Sequence, residues 1–212
     1  MPQPRIIPLM NTTYLLDDVI ALFDGLFADT YNTRLKLGGD EPLYVPADEF
    51  CSYHRVIFAR GNFSSALHEI SHWCIAGARR RGLEDYGYWY LPDGRDTEQQ
   101  AAFESAEVAP QALEMLFSQA CGRAFHVSVD NLGDTEVDRN AFRHRVEARA
   151  LRYEGEGLPA RAGAFRTALA AYYRHDASLK TAVAMGNEAL TERTHTRVAD
   201  TSRPGVVPKT GA

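Results

Sequence analysis

An α+β fold, mainly helical with a small sheet in a single domain, is the class that this 212-residue sequence predicts. Three observations carry it. Apolar residues recur at helical spacing through several long stretches. Runs rich in β-formers are few and short. The stretch Ser65-Ala-Leu-His-Glu-Ile-Ser-His-Trp73 contains His68-Glu69-x-x-His72, the H-E-x-x-H pattern of a helical metal site.

Residues 1–10 hold three prolines and read as an irregular lead-in. Asn11 and Thr12 or Thr13 are positioned to cap a first helix, with Asp17 and Asp18 in its early turns. Leu15, Leu16, Val19, Ile20, Leu22, Phe23, Leu26 and Phe27 give that helix a broad apolar face. Residues 32–46 mix turn formers with a short strand at Leu43–Val45, and Arg55–Arg60 is a second strand leading into the metal helix. Asn62 or Ser64 can cap that helix. Arg79, Arg80 and Arg81 suit its negative end, and Gly82 can terminate it. The segment Asp85-Tyr-Gly-Tyr-Trp-Tyr-Leu-Pro-Asp-Gly-Arg95 packs four aromatics into five positions before a sharp turn, as core filling or as a pocket wall. A helical run from Thr97 to Ala120 is interrupted by Pro110, so a kink or two abutting helices are expected. Phe125–Val129 reads as a strand, and Asp138–Tyr153 and Pro159–His175 as helices. Residues 1–185 then form the domain, and 186–212 a polar, flexible tail.

The composition, 45% hydrophobic and 24% charged, supports one full core. A formal charge of −5 disfavours nucleic acid as a partner and permits a basic one. Cys51, Cys74 and Cys121 are widely separated, which indicates neither a disulfide framework nor a cysteine zinc cluster. No secretory or membrane-spanning run stands out, so a soluble cytoplasmic protein without a membrane partner is expected.

His68 and His72 share a helix face, so both imidazoles can reach one ion, and Glu69 lies about 100° round, free to act without ligating. Two neutral nitrogens suit iron, zinc, copper or nickel better than calcium or magnesium. The helix is apolar almost all round, so its polar residues need partners. Working sites usually take a third protein ligand. Glu104, Glu107 and Gln111 share one face of the next long helix. Glu107 is the preferred ligand, Gln111 its brace, and Glu104 either a supporting carboxylate or the ligand in its place. This two-histidine, one-carboxylate set serves two chemistries: hydrolysis with zinc and Glu69 as base, or oxygen activation with ferrous iron.

Asn32-Thr-Arg-Leu35, Glu41-Pro-Leu-Tyr-Val-Pro-Ala47, Ala66-Leu-His-Glu-Ile-Ser-His-Trp-Cys-Ile-Ala-Gly77, Tyr86-Gly-Tyr-Trp-Tyr90, Pro92-Asp-Gly-Arg-Asp96, Phe103-Glu104, Glu107-Val108, Pro110-Gln-Ala-Leu113 and Ser128-Val-Asp-Asn-Leu132 resemble the bacterial elongation factor P hydroxylases. The likeness runs from roughly residue 14 to residue 175. It implies an Fe(II)-type protein-lysine hydroxylase, an oxidoreductase of the monooxygenase type. Its partner is elongation factor P, modified on a lysine usually already carrying β-lysine. It also implies a zincin-like, metallopeptidase-like fold around the metal helix. Carried over, His68, His72 and Glu107 match the metal ligands and Glu69 the intervening glutamate. A cationic substrate suits aromatic walls at Tyr86, Tyr88, Trp89 and Tyr90, with Asp85, Asp93 and Arg95 nearby in sequence, and Asp130 and Asn131 as further supports. A zinc metallopeptidase and a non-catalytic, metal-stabilised interaction protein are the other two readings.

Overall fold

The chain is described from a computed structural model, covering residues 13–87, 95–129 and 138–201, with side chains through Glu192. Helix α1 (Leu16–Tyr31) leads into β1 (Thr33–Leu37), β2 (Leu43–Val45) and β3 (His54–Phe58), then α2 (Phe63–Ile75). Two 3-10 turns follow at Arg80–Gly82 and Glu84–Gly87. Helices α3 (Thr97–Cys121), α4 (Arg139–Glu156), α5 (Ala160–His175) and α6 (Leu179–Thr201) complete the described chain. The protein is therefore mainly helical with one three-stranded sheet, an α+β arrangement.

The sheet order is β1-β3-β2, with β3 parallel to β1 and antiparallel to β2. Strand β1 lies where turn residues were expected. Its Thr-Arg-Leu-Lys-Leu alternation places Thr33 and Leu35 inward, the period-2 pattern of a half-buried strand. The strand expected to reach Arg60 stops at Phe58, because Arg60 and Gly61 both take positive φ (55° and 57°) and turn the chain. That turn delivers Asn62, whose side chain accepts from Ser64 N at 2.8 Å and caps α2.

Several expected boundaries move. Helix α1 begins after Leu15, which supplies no side-chain cap, so Thr13 is not the cap; Asn11 and Thr12 lie outside the described residues. Helix α2 ends at Ile75, well before Gly82. Its last carbonyls are taken chiefly by a residue distant in sequence: Arg161 of α5 donates to Trp73 O at 3.0 Å, Cys74 O at 3.0 Å and Ala76 O at 2.6 Å. Of the arginine run, Arg81 adds a bond to Ala76 O at 2.7 Å, while Arg80 Nε turns to Tyr86 O. Helix α3 is continuous through Pro110, opened by an Asp96–Gln99 capping box. Residues 125–129 form no ladder. Instead the side-chain amide of Gln111 pairs with Ser128 as a strand neighbour would, accepting from its N–H at 3.0 Å and donating to its carbonyl at 2.7 Å.

Residues 186–201, expected as the start of a tail, are turns of α6, and a boundary at 185 falls inside that helix. Ala182, Gly186 and Leu190 form its buried face at i, i+4 and i+8. A Cβ at Gly186 would lie 2.7 Å from Leu26 Cδ2 and 2.9 Å from Ala164 O, so α6 seats closely on α1 and α5.

The core is built round Trp73, which is fully buried. Phe27, Phe23 and Tyr31 of α1 set their rings 4.8, 5.1 and 5.5 Å from it, and the Arg161 guanidinium lies 4.6 Å from its ring. The metal helix is thus held along its back by α1 and at its end by α5. Replacing Arg161 by Met should keep much of the packing but strand the carbonyls of Trp73 and Cys74, lowering stability in urea denaturation by about 2–3 kcal/mol. Gly186→Ala should cost about 1–3 kcal/mol by overpacking; an unchanged melting temperature would mean that α6 is not docked as described.

Candidate metal centre

Helix α2 is capped at one end and clamped at the other, which fixes the direction in which His68 and His72 leave it. One turn apart, they present Nε2 atoms 3.1 Å from each other, with ring centroids 4.7 Å apart. Glu107 reaches them from α3 and is 4% exposed. Its Oε2 lies 3.4 Å from His68 Nε2 and its Oε1 3.2 Å from His72 Nε2. Donor atoms of the three residues all fall within 4.8 Å of one another.

These separations match what one ion needs. Bonds of about 2.1 Å put neighbouring donors about 3.0 Å apart in octahedral and about 3.4 Å apart in tetrahedral geometry. Two imidazoles and a carboxylate suit iron or zinc, and three protein donors leave positions open for small molecules. The described residues therefore fit a divalent transition metal, although the donor set alone does not choose between those two.

The electrostatics of the three side chains by themselves point the same way. Burial opposes charge on His68, yet Glu107 and Glu114 outweigh it and push the imidazole up to about 10. Burial also works against Glu107 as an anion, but His72 and His68 hold its carboxyl down to about 2. Glu107 thus favours positive charge at the histidines, which a metal ion among the three donors would supply. Glu69 is raised above the ordinary carboxylate range by burial, with His68 and His72 partly opposing, which brings it toward the range useful for moving protons.

The other sequence-selected residues divide into three groups. Gln111 joins the site, donating from Nε2 to Glu107 Oε2 at 3.3 Å while tied to Ser128. Tyr86 is near it: buried, stacked 4.3 Å from Tyr44, and with a hydroxyl that has no hydrogen-bond partner among the described residues. Burial and then the charge of Glu69 hold its phenol well above the usual range. Asp85, Tyr86 and Gly87 all take positive φ (44°, 59° and 71°), a strained run of the kind found beside functional sites. Asp85 spends one oxygen on Tyr44 N at 2.8 Å.

Glu104 and Arg95 face elsewhere. Glu104 pairs with Arg145 of α4 and accepts from Gln100, so it supports the α3–α4 contact rather than the three donors. Arg95 lies 3.8 Å from the Phe103 ring centroid and donates to Gln100 at 3.0 Å, ordering the start of α3. Tyr88, Trp89, Tyr90, Asp93, Asp130 and Asn131 lie outside the described residues.

Sequence reasoning passed over Glu114. Its Oε2 lies 2.9 Å from His68 Nδ1, on the opposite side of the ring from Glu107. The signal was present: the stripe that holds Glu104, Glu107 and Gln111 continues by one further step of three to Glu114.

The chain is also similar to known proteins. The family described as "Elongation factor P hydroxylase" matches residues 22–183. The "Elongation factor P lysine hydroxylase" of Haemophilus influenzae is 50% identical over 158 residues, covering 74% of this chain and 89% of that protein. On a match spanning most of its length, the chain belongs to the elongation factor P hydroxylase family.

Proposed function

We propose that the protein is a cytoplasmic, iron-dependent hydroxylase that acts on the β-lysylated lysine of elongation factor P. The observation that carries the reading is the convergence of His68, His72 and Glu107 donor atoms at 3.1–3.4 Å, in a chain half identical to a named lysine hydroxylase. In this reading α2 is a zincin-like metal helix set beside a small sheet. No helix among the described residues is long and apolar enough to cross a membrane.

His68, His72 and Glu107 would hold a ferrous ion, which supplies the oxygen activation that no side chain can. The chain's own groups do the rest. Gln111 keeps the Glu107 carboxylate turned toward the histidines. Glu69, half-buried on the same helix, accepts or returns a proton as the substrate carbon is oxidised. Glu69, Glu107 and Glu114 gather carboxyl groups around the site, which favours a cationic lysine side chain over an acidic one there. Tyr86, whose hydroxyl has no hydrogen-bond partner among the described residues, would help to orient it. Zinc with Glu69 as base could hydrolyse a peptide from the same frame; the hydroxylase relative favours oxidation.

Incubation of β-lysylated elongation factor P with the ferrous protein, air and a reductant should add one oxygen atom to its intact mass. His68→Ala should abolish both metal binding and the mass gain. Glu69→Gln should retain the metal yet slow the reaction by about 10²–10⁴-fold. No mass gain with the metal-loaded wild-type protein, or cleavage of a peptide that depends on Glu69, would contradict the hydroxylase reading.

A further inference from the structure

His68 is held at both ring nitrogens by one helix. Glu107 Oε2 stands 3.4 Å from Nε2 and Glu114 Oε2 2.9 Å from Nδ1. The two glutamates are seven residues apart on α3, about 10.5 Å along its axis, and the ring bridges between them. We propose that Glu114 is a positioning residue for the metal centre: it fixes His68 with Nδ1 protonated, orients the ring, and leaves Nε2 as the ligating nitrogen. This rests on the metal-site reading above and adds to it a residue that touches neither ion nor substrate.

Three observations carry the role. An ionised carboxylate only accepts hydrogen bonds, so the contact requires the proton on Nδ1. Glu114 is 9% exposed, and burying a carboxylate there is costly unless it is matched. Its partner among the described residues is the imidazole, with no arginine or lysine paired to it. Glu114 also lines a cleft of about 580 Å³ together with Tyr14, Ser64, Ser118, Arg123, Phe125 and His126. A side chain kept there for packing alone would have no need of charge.

The same stripe provides a control. Glu104 is also partly buried on α3, but its charge is spent on Arg145. Competition against a chelator gives the Fe(II) or Co(II) affinity of each variant, and the visible spectrum of the Co(II) form reports ligand orientation. Glu114→Gln should weaken metal binding about 10–100-fold and shift the Co(II) bands. The metal-free melting temperature should fall as well, since the same carboxylate helps to hold α2 on α3, but a loss of stability alone would leave the Co(II) bands in place. Glu114→Asp should recover part of the affinity, and Glu104→Gln should stay within about twofold of wild type. Unchanged affinity and Co(II) spectrum in Glu114→Gln overturn the proposal while leaving the metal site intact. The same holds if Glu114→Gln and Glu114→Asp lower only the melting temperature. A wild-type protein that binds neither ion overturns both.

Discussion

Two imidazoles and a glutamate projecting from a helix that is otherwise apolar must find their partners on another helix. In this protein that helix is α3, and the interaction between its carboxylate stripe and His68 and His72 is the one on which the site depends. Burial makes an unmatched charge expensive, so α2 and α3 are bound into a fixed relation by charge as well as by packing. Glu107 and Glu114 supply the matching charge, while Gln111 links Glu107 to the chain at Ser128. The capping box at Asp96–Gln99 and the unbroken course of α3 through Pro110 set the stripe's register against α2.

Rigidity behind the site comes from elements that never touch it. Trp73 projects from the back of α2 into rings from α1, and Arg161 satisfies the carbonyls that end the helix. This closing of a helix C-terminus by a guanidinium from another helix does what a glycine cap does elsewhere, with the added consequence that α5 is tied to the metal helix. A displacement of α5 would therefore reach His72 through a single turn of backbone. The strained run at Asp85–Gly87, anchored by Asp85 to β2, holds Tyr86 over Tyr44 and toward Glu69.

Much of this was legible in the sequence because it is local. The H-E-x-x-H helix, the short strand at Leu43–Val45, the start of α4 near Asp138 and the α3 carboxylate face are each written within one or two turns of chain. What escaped was set by partners far away. Strand β1 was masked by neighbouring turn residues although its alternation was visible. The end of α2 depends on Arg161, 85 residues beyond Ala76, and no local signal announces it. Residues 125–129 carry β-formers, yet Ser128 pairs with the side chain of Gln111 and Val129 O accepts from Gln100, and no ladder forms there. Helix α6 was hidden by its polarity, since its contact with the core is a narrow face of small residues with Leu190. That Glu104 meets Arg145 and Glu114 meets His68 escapes for a related reason: a shared helix face says which residues point the same way, but not which partner each one meets.

The central claim is that a single ion sits between α2 and α3. Anomalous diffraction at the iron edge, from crystals of the protein purified with ferrous iron, tests it most directly. The account predicts one peak within bonding distance of His68 Nε2, His72 Nε2 and a Glu107 oxygen. A peak elsewhere, or histidines still joined to Glu107 with the iron absent, would contradict it.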